Sequence, residues 1–127
     1  MEKKILVVDD ELLIRRLFEE AFSSRGYTVK TAESGEEALE ILKKESIHVI
    51  FLDLNMPGMN GLELCRRIRS SNPMAIIHAV TGYASLFEIH ACREAGFDDY
   101  FIKPVALEDL FAAAESAFEK FERWKKR

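Results

Sequence analysis

Short apolar runs alternate along the chain with segments in which apolar residues recur at helical spacing. Five runs that are apolar or alternating predict β-strands, at residues 5–8, 27–31, 49–52, 75–80 and 98–102. Five segments with one apolar face predict α-helices, at residues 12–25, 35–44, 62–70, 84–95 and from 107 to near the C-terminus. The repeated order of strand then helix, with short links, predicts a parallel sheet covered by helices on both faces.

Local signals mark where several of these helices begin and end. Gly26 and Gly96 follow the first and fourth helical segments, at the position where a helix C-terminus favours glycine. Ser34, with Glu37 three residues later, has the pattern of a capping box before the second helix. In the first helix we expect one broad apolar stripe that faces the sheet, formed by Leu13, Ile14, Leu17, Phe18, Ala21 and Phe22.

Four of the five strands deliver polar residues to their carboxyl ends. These residues are Asp9 and Asp10 after the first strand, Asp53 after the third, Thr81 after the fourth and Lys103 after the fifth. A sheet of this length commonly has the strand order 2-1-3-4-5, which places the ends of strands 1 and 3 side by side. The predicted fold is therefore α/β, a (βα)5 flavodoxin-like three-layer sandwich, with these polar residues at one edge.

The polar edge predicts phosphoryl chemistry that uses a metal. Three carboxylates that converge repel one another unless a cation neutralises them. Hard oxygen ligands without imidazole or thiolate favour Mg²⁺, with Mn²⁺ possible. Lys103 would supply a point charge and Thr81 a hydroxyl donor for a phosphoryl group, and Asp53 can act as a nucleophile that forms an acyl phosphate.

Composition places the chain in a broad class and excludes others. Its 127 residues fit a single domain, 1–127, and the formal net charge of −4 does not suggest a nucleic-acid surface. The isolated Cys65 and Cys92 lie in helical segments, which is typical of buried thiols in a reducing compartment. No signal peptide and no apolar run long enough for a bilayer are found, so we expect a cytoplasmic protein without membrane contact.

The polar signatures together resemble those of a known family. The segments are Val-Val-Asp-Asp-Glu at 7–11, Asp-Leu-Asn-Met-Pro-Gly-Met-Asn-Gly at 53–61, Thr-Gly at 81–82 and Tyr-Phe-Ile-Lys-Pro at 100–104. In this order and register they resemble the receiver domain of two-component response regulators over the whole chain. The resemblance implies a signalling switch rather than an enzyme. It would take a phosphoryl group onto Asp53 from the phosphohistidine of a sensor histidine kinase or phosphotransfer protein, and would assist its own phosphorylation and dephosphorylation.

The resemblance also implies a metal-ligand set. Asp10 and Asp53 would bind Mg²⁺ directly, and Asp9 would act mainly through water. The backbone carbonyl of Asn55 would complete the ligands that the protein supplies.

A second group of residues would hold phosphate and transmit the signal. By resemblance, Thr81 and Lys103 contact phosphate oxygens, and Tyr100 changes rotamer as Thr81 moves. The resemblance also implies a cis Lys103–Pro104 bond, and only before proline is the free-energy cost of the cis form small. Packing alone remains an alternative role for Tyr100, and the three histidines are interpreted as ordinary core or surface residues.

Two other functions fit the same fold class. A nucleotide binder needs a phosphate-cradling loop after strand 1, but that loop is Asp-Asp-Glu at 9–11, which repels phosphate without metal. A Mg²⁺-dependent phosphatase with an aspartate nucleophile would normally carry an Asp-x-Asp motif after strand 1 and a substrate-covering insertion. Neither feature is found, so this alternative is the weaker one.

Two interpretations of how the switch passes on its signal remain open. The chain is either a stand-alone receiver that docks to a downstream protein, or the N-terminal receiver of a longer regulator with an attached effector domain. Apolar residues beyond the needs of one buried face suggest a docking or dimer face on helix 4, strand 5 and helix 5. These residues are Leu86, Phe87, Ile89, Phe111 and Phe118. Simple packing between the helices is the alternative.

Overall fold

The computed structural model describes residues 2–82 and 85–126 and, at Phe87, the backbone alone. The strands are β1 Lys4–Val8, β2 Thr28–Ala32, β3 Val49–Asp53, β4 Ile76–Thr81 and β5 Asp99–Ile102. The helices are α1 Leu12–Ser23, α2 Gly35–Lys44, α3 Gly61–Ser71, α4 Leu86–Ala95 and α5 Leu107–Lys125. All ten elements were predicted, with shifts of one or two residues at most of their ends.

The five strands form one parallel sheet in the order β2-β1-β3-β4-β5, which confirms the predicted fold class. The register pairs Val8 with Leu52, so the residues that follow, Asp9 and Asp53, emerge side by side. Thr81 pairs with Ile102, which brings the next residue of that chain segment, Lys103, to the same edge. The topology therefore gathers the polar strand ends on one side of the molecule.

Two apolar clusters cover the two faces of the sheet. One packs α2, α3 and the end of α4 on the sheet, through residues such as Ala38, Leu64 and Ala95. The other packs α1 and α5 on the opposite face, through residues such as Phe22 and Leu110. Strands β3 and β4 are buried along their whole length, as expected for parallel strands between two helical layers.

The inward stripe of α1 is narrower than the sequence predicted. Phe18, Ala21 and Phe22 are buried, but the side chains of Leu13 and Leu17 are 77% and 46% exposed. Each of these leucines precedes an inward residue by one position, which rotates it by about 100° around the helix. The prediction that both leucines face the sheet is therefore wrong.

Two aromatic residues of α5, Phe111 and Phe118, pack within the molecule. The ring of Phe118 stacks on Tyr27 at 5.3 Å between centroids, and the guanidinium carbon of Arg25 lies 4.0 Å from the centroid of the Phe111 ring. Both contacts are made to the loop that joins α1 to β2. Phe111 and Phe118 therefore do not contribute to a face shared with α4, and the side chain of Phe87 lies outside the described residues.

The cysteines and the central histidine are core residues. Cys65 and Cys92 are buried free thiols. The buried His78 stacks on Phe51 at 4.2 Å, and its Nδ1 donates to the carbonyl of Ile50 at 3.0 Å. Across residues 2–82 and 85–126, none of the helices combines the length and apolar character that crossing a bilayer requires.

Candidate functional site

The carboxyl edge of the sheet holds three carboxylates. Asp53 is the last residue of β3 and is 5% exposed, Asp9 follows β1 and is also buried, and Asp10 is exposed. Oxygen atoms of the three side chains all lie within 4.8 Å of one another. The predicted convergence of these acids is therefore found in the structure.

Lys103 is the cation that faces these acids. Its Nζ lies 2.9 Å from Asp9 Oδ2 and 3.7 Å from Asp53 Oδ1. The backbone fixes this approach, because the amide of Lys103 donates to the carbonyl of Thr81 at 2.7 Å at the end of β4. The Lys103–Pro104 bond is cis, as the resemblance implied.

The crowding of charge changes the acidity of Asp53 and Lys103. Burial, and then the carboxylate of Asp9, raise the pKa of Asp53 to about 6, although Lys103 opposes this shift. Burial alone would lower the pKa of Lys103, but its hydrogen bond to Asp9 and the charge of Asp53 raise it overall. One lysine thus compensates the acids only in part.

The loop after β3 borders the site through Asn55 and Gly61. The amide of Asn55 donates to Asp53 Oδ1 at 3.3 Å, and its side-chain nitrogen donates to Thr81 Oγ1 at 3.4 Å. Gly61 begins α3 so close to the chain that a Cβ there would collide with the carbonyl oxygen of Asp53 and with Leu54 Cα. The glycine therefore lets α3 start directly against the backbone of the acceptor strand.

Tyr100 lies on the face of β5 that meets α4. It packs beside Ala79 and Cys92, and with Ile89 and Phe97 it lines a cavity of about 380 Å³ between α4 and β5. The side chain is thus half-buried beside open space, on the strand that leads to Lys103. The packing role and the switching role of Tyr100 both remain predictions.

Sequence reasoning missed one residue that contacts the backbone of the acidic loop. Arg15 of α1 donates from Nη1 to the backbone carbonyl of Asp9 at 2.8 Å. No motif marks the position six residues after Asp9, and a charged residue in a helical pattern predicts only a solvated side chain. The contact joins the first turn of α1 to the loop that follows β1.

The donor set of the acidic edge suits a hard divalent cation. The three clustered side chains offer carboxylate oxygens only, without imidazole or thiolate among them. Mg²⁺ prefers one or two carboxylates together with water and phosphate oxygens. The residues therefore fit Mg²⁺, and Asp10, which is exposed, is the most open of the three to an entering ion.

Comparisons with known proteins agree on one family. The family model described as "Response regulator receiver domain" matches residues 5–115. The response regulator MprA of Mycobacterium ulcerans is 42% identical over 112 residues, which are 88% of this chain and 48% of that protein. Receiver domains typically bind Mg²⁺ at an acidic pocket, which is consistent with the donor set. None of these matches favours the phosphatase alternative.

Solved structures give the same result. A CheY-like receiver domain protein from Methanospirillum hungatei has a TM-score of 0.88 at 32% identity, with 99% of this chain and 98% of that chain covered. NtrX from Brucella abortus, solved in complex with ADP, has a TM-score of 0.92 at 28% identity and covers 99% of this chain but only 29% of its own. The chain spans about half the length of the curated relatives it matches.

Proposed function

The chain belongs to the receiver domain family of two-component response regulators, and on this premise we propose that Asp53 is its phosphoryl acceptor. One observation carries the proposal: the buried Asp53 carboxylate lies 3.7 Å from Lys103 Nζ, within the only acidic cluster found among the described residues. Restricted access of water strengthens the effect of a nearby cation on charge that develops when a carboxylate attacks phosphorus. Residues 1–127 are proposed to act as a single receiver unit.

In the proposed step, an Asp53 oxygen attacks the phosphorus of a donor phosphohistidine. An O–P bond forms, the N–P bond breaks, and its electron pair returns to the donor imidazole. Lys103 and the Thr81 hydroxyl contact the transferred oxygens, because both reach the edge at which Asp53 ends β3. A bound Mg²⁺ would supply charge neutralisation for the incoming group. Asp10, Asp53 and the Asn55 carbonyl are proposed to hold it directly, and Asp9 through water; Mn²⁺ would fit the same set.

The test is phosphorylation by a small donor. Incubation with acetyl phosphate and Mg²⁺ should add one phosphoryl group to the intact chain, as measured by mass spectrometry. Asp53→Asn should remove the gain, whereas Asp99→Asn, at an exposed acid on β5, should keep it. Steady turnover of a phosphomonoester, with no phosphorylated protein, would overturn the proposal.

The phosphodonor is proposed to be a histidine kinase or phosphotransfer protein that docks on α1. Leu12, Leu13 and Leu17 are exposed on the helix that begins directly after the acidic loop. A donor must bring its histidine to this same edge, so an apolar helix surface beside the edge is well placed to be covered at that moment. Leu13→Ser should slow transfer from a phosphorylated donor protein at least several-fold while leaving labelling by acetyl phosphate unchanged. Equal loss with both donors would contradict docking.

The signal is proposed to leave through α4 and β5. Leu86 and Ile102 are exposed apolar residues there, and Tyr100 joins this region to the phosphorylation edge through β5. A downstream protein, an attached effector domain or a second copy would bind this face, and no direct nucleic-acid contact is proposed. Leu86→Ser should weaken phosphorylation-dependent association, measured by light scattering or with the target, without changing labelling of Asp53. Unchanged association would refute this face.

A further inference from the structure

Arg15 is a charged side chain of α1 that is largely buried beside the acidic loop. Its side chain is 13% exposed, whereas that of Glu33, its ion-pair partner at 3.8 Å, is 68% exposed. Since its acidic partner is exposed, this ion pair contributes little to the stability of the fold. The shorter contact of Arg15 is to the backbone carbonyl of Asp9, at 2.8 Å.

That carbonyl belongs to the peptide plane between Asp9 and Asp10. A peptide unit is rigid, so a hydrogen bond that fixes its oxygen also fixes the directions in which the chain leaves it on both sides. The plane places the Cα atoms of Asp9 and Asp10 relative to each other, and so restricts the directions that their side chains can take. Arg15 thus acts on two of the three clustered acids without touching a carboxylate oxygen.

The remaining polar atoms of Asp9 are also held. Its amide donates to the carbonyl of Ala32 at 3.1 Å, and its Oδ1 accepts from the amide of Glu11 at 2.9 Å. Its Oδ2 contacts Lys103 Nζ. The main-chain carbonyl is the one polar group of Asp9 whose described partner is a charged side chain of α1, so this restraint can be removed by a single substitution.

We propose that Arg15 is a positioning residue that holds the Asp9–Asp10 peptide plane and thereby sets the affinity of the acidic site for Mg²⁺. The inference rests on the proposed function, because it takes the three acids as the metal site. Partners that orient metal ligands commonly change metal affinity by tenfold or more when they are replaced.

The sign of the effect separates positioning from simple charge. Removing a positive charge near an acidic cluster should tighten the binding of a cation, because the local potential becomes more negative. Removing a residue that aligns the ligands should weaken it. Arg16 lies next to Arg15, is exposed, and gives a matched control for loss of one helix charge.

The experiment measures the Mg²⁺ dissociation constant by isothermal titration calorimetry at fixed ionic strength. Arg15→Met should weaken binding about tenfold, whereas Arg16→Met should leave the constant within about twofold or tighten it slightly. Urea unfolding of each variant without metal checks that the chain is folded at the titration temperature, so that a loss of stability cannot mimic a loss of affinity. If Arg15→Met does not fold, Arg15→Lys takes its place, with a smaller effect in the same direction.

Affinity in Arg15→Met that equals or exceeds that of the unmodified chain would overturn the inference. Asp10→Asn separates this failure from failure of the site itself, because it removes a proposed direct ligand. Mg²⁺ binding that persists unchanged in Asp10→Asn would refute the metal site and the Arg15 inference together. Loss of binding in Asp10→Asn, combined with unchanged binding in Arg15→Met, would refute the Arg15 inference alone.

Discussion

At the carboxyl ends of the strands, the carboxyl edge, Asp9, Asp10 and Asp53 face a single described lysine. At the amino ends of the strands, here called the amino edge, the charges described below have partners of opposite charge. At the amino edge, Arg69 of α3 contacts the carboxylate of Asp98 at 2.9 Å. Both edges belong to the same five strands and lie within one small domain. They differ in whether the folded chain alone can satisfy the charges it brings together.

Arg69 provides most of the contacts described here at the amino edge. Besides Asp98, its guanidinium donates to backbone carbonyls where α3, α4 and β4 meet, those of Gly96, Pro73 and Ala75. Asp98 in turn accepts from the amide of Ile77 at 2.7 Å and lies 3.7 Å from Lys120 of α5. One side chain therefore joins three elements, and its partner acid reaches a fourth.

This difference indicates how the fold divides stability from function. Buried like charges raise the free energy of the folded state until a cation or a proton arrives. A site in that condition responds strongly to Mg²⁺ and to a phosphoryl group. The charges described at the amino edge already have partners of opposite charge, so substitutions there should change the free energy of unfolding.

The largest expected effect lies at the amino edge, in Arg69→Met. The substitution removes the hydrogen bonds to three carbonyls and leaves Asp98 with a less complete set of partners. We expect the free energy of unfolding to fall by about 3 kcal/mol, measured by urea titration. Arg67→Met is the control, because the ion pair of Arg67 with Glu63 is exposed and should contribute under about 0.5 kcal/mol. Similar losses in both variants would remove the contrast between the edges.

The next effect has the opposite sign and lies at the carboxyl edge. The raised pKa of Asp53, about 6, means that the folded state binds this proton more tightly than the unfolded state, whose pKa is about 3.9. Stability from this group is therefore fully present below about pH 4 and is lost as the pH rises to about 6. At pH 8 without metal, Asp53→Asn should raise the free energy of unfolding by about 2 kcal/mol. A less stable Asp53→Asn would show that the acids are already compensated.

The smallest effect is a pH dependence at the amino edge. His48 precedes β3, stacks on Phe121 at 4.4 Å and accepts at Nδ1 from the side-chain nitrogen of Asn72 at 2.9 Å. Burial, and then the positive charge of Lys125, lowers the pKa of His48. The unfolded state therefore binds the proton more tightly, and stability falls as the pH drops below about 6.5.

His48→Gln should reduce this loss of stability on acidification. The comparison is made in the Asp53→Asn background, because Asp53 has the opposite pH dependence in the same range. Urea unfolding at several pH values between neutrality and pH 5.5 measures the slope. Burial also lowers the pKa of His78, so part of the slope should remain. An identical slope with and without the His48 ring would contradict the assignment.

The strand order and the meeting of Asp9 with Asp53 could be predicted because they depend on period and topology, which the sequence carries directly. Which leucines of α1 face the sheet could not. A broad apolar stripe is compatible with several rotations of a helix, and packing against the sheet selects one. The contact of Arg15 with a backbone carbonyl was equally out of reach, since a carbonyl has no residue type and leaves no signal in the pattern.

The same distinction applies to the candidate site and to the predicted docking face. Residues at strand ends, such as Lys103 and Thr81, could be placed because parallel strands present their carboxyl ends together. The packing of Phe118 on Tyr27 could not, because an apolar residue beyond the first buried face fits a partner surface and an internal contact equally well. Its position depends on how α5 lies against α1.

The most direct test of the central claim locates the phosphoryl group on the chain. The chain is labelled with acetyl phosphate and Mg²⁺ and then reduced with borohydride, which converts an aspartyl phosphate to homoserine. Peptide mass spectrometry should find homoserine at position 53, with Asp9 and Asp10 unmodified. Homoserine at position 9 or 10, or its absence from a chain that carries the phosphoryl mass, would contradict the account.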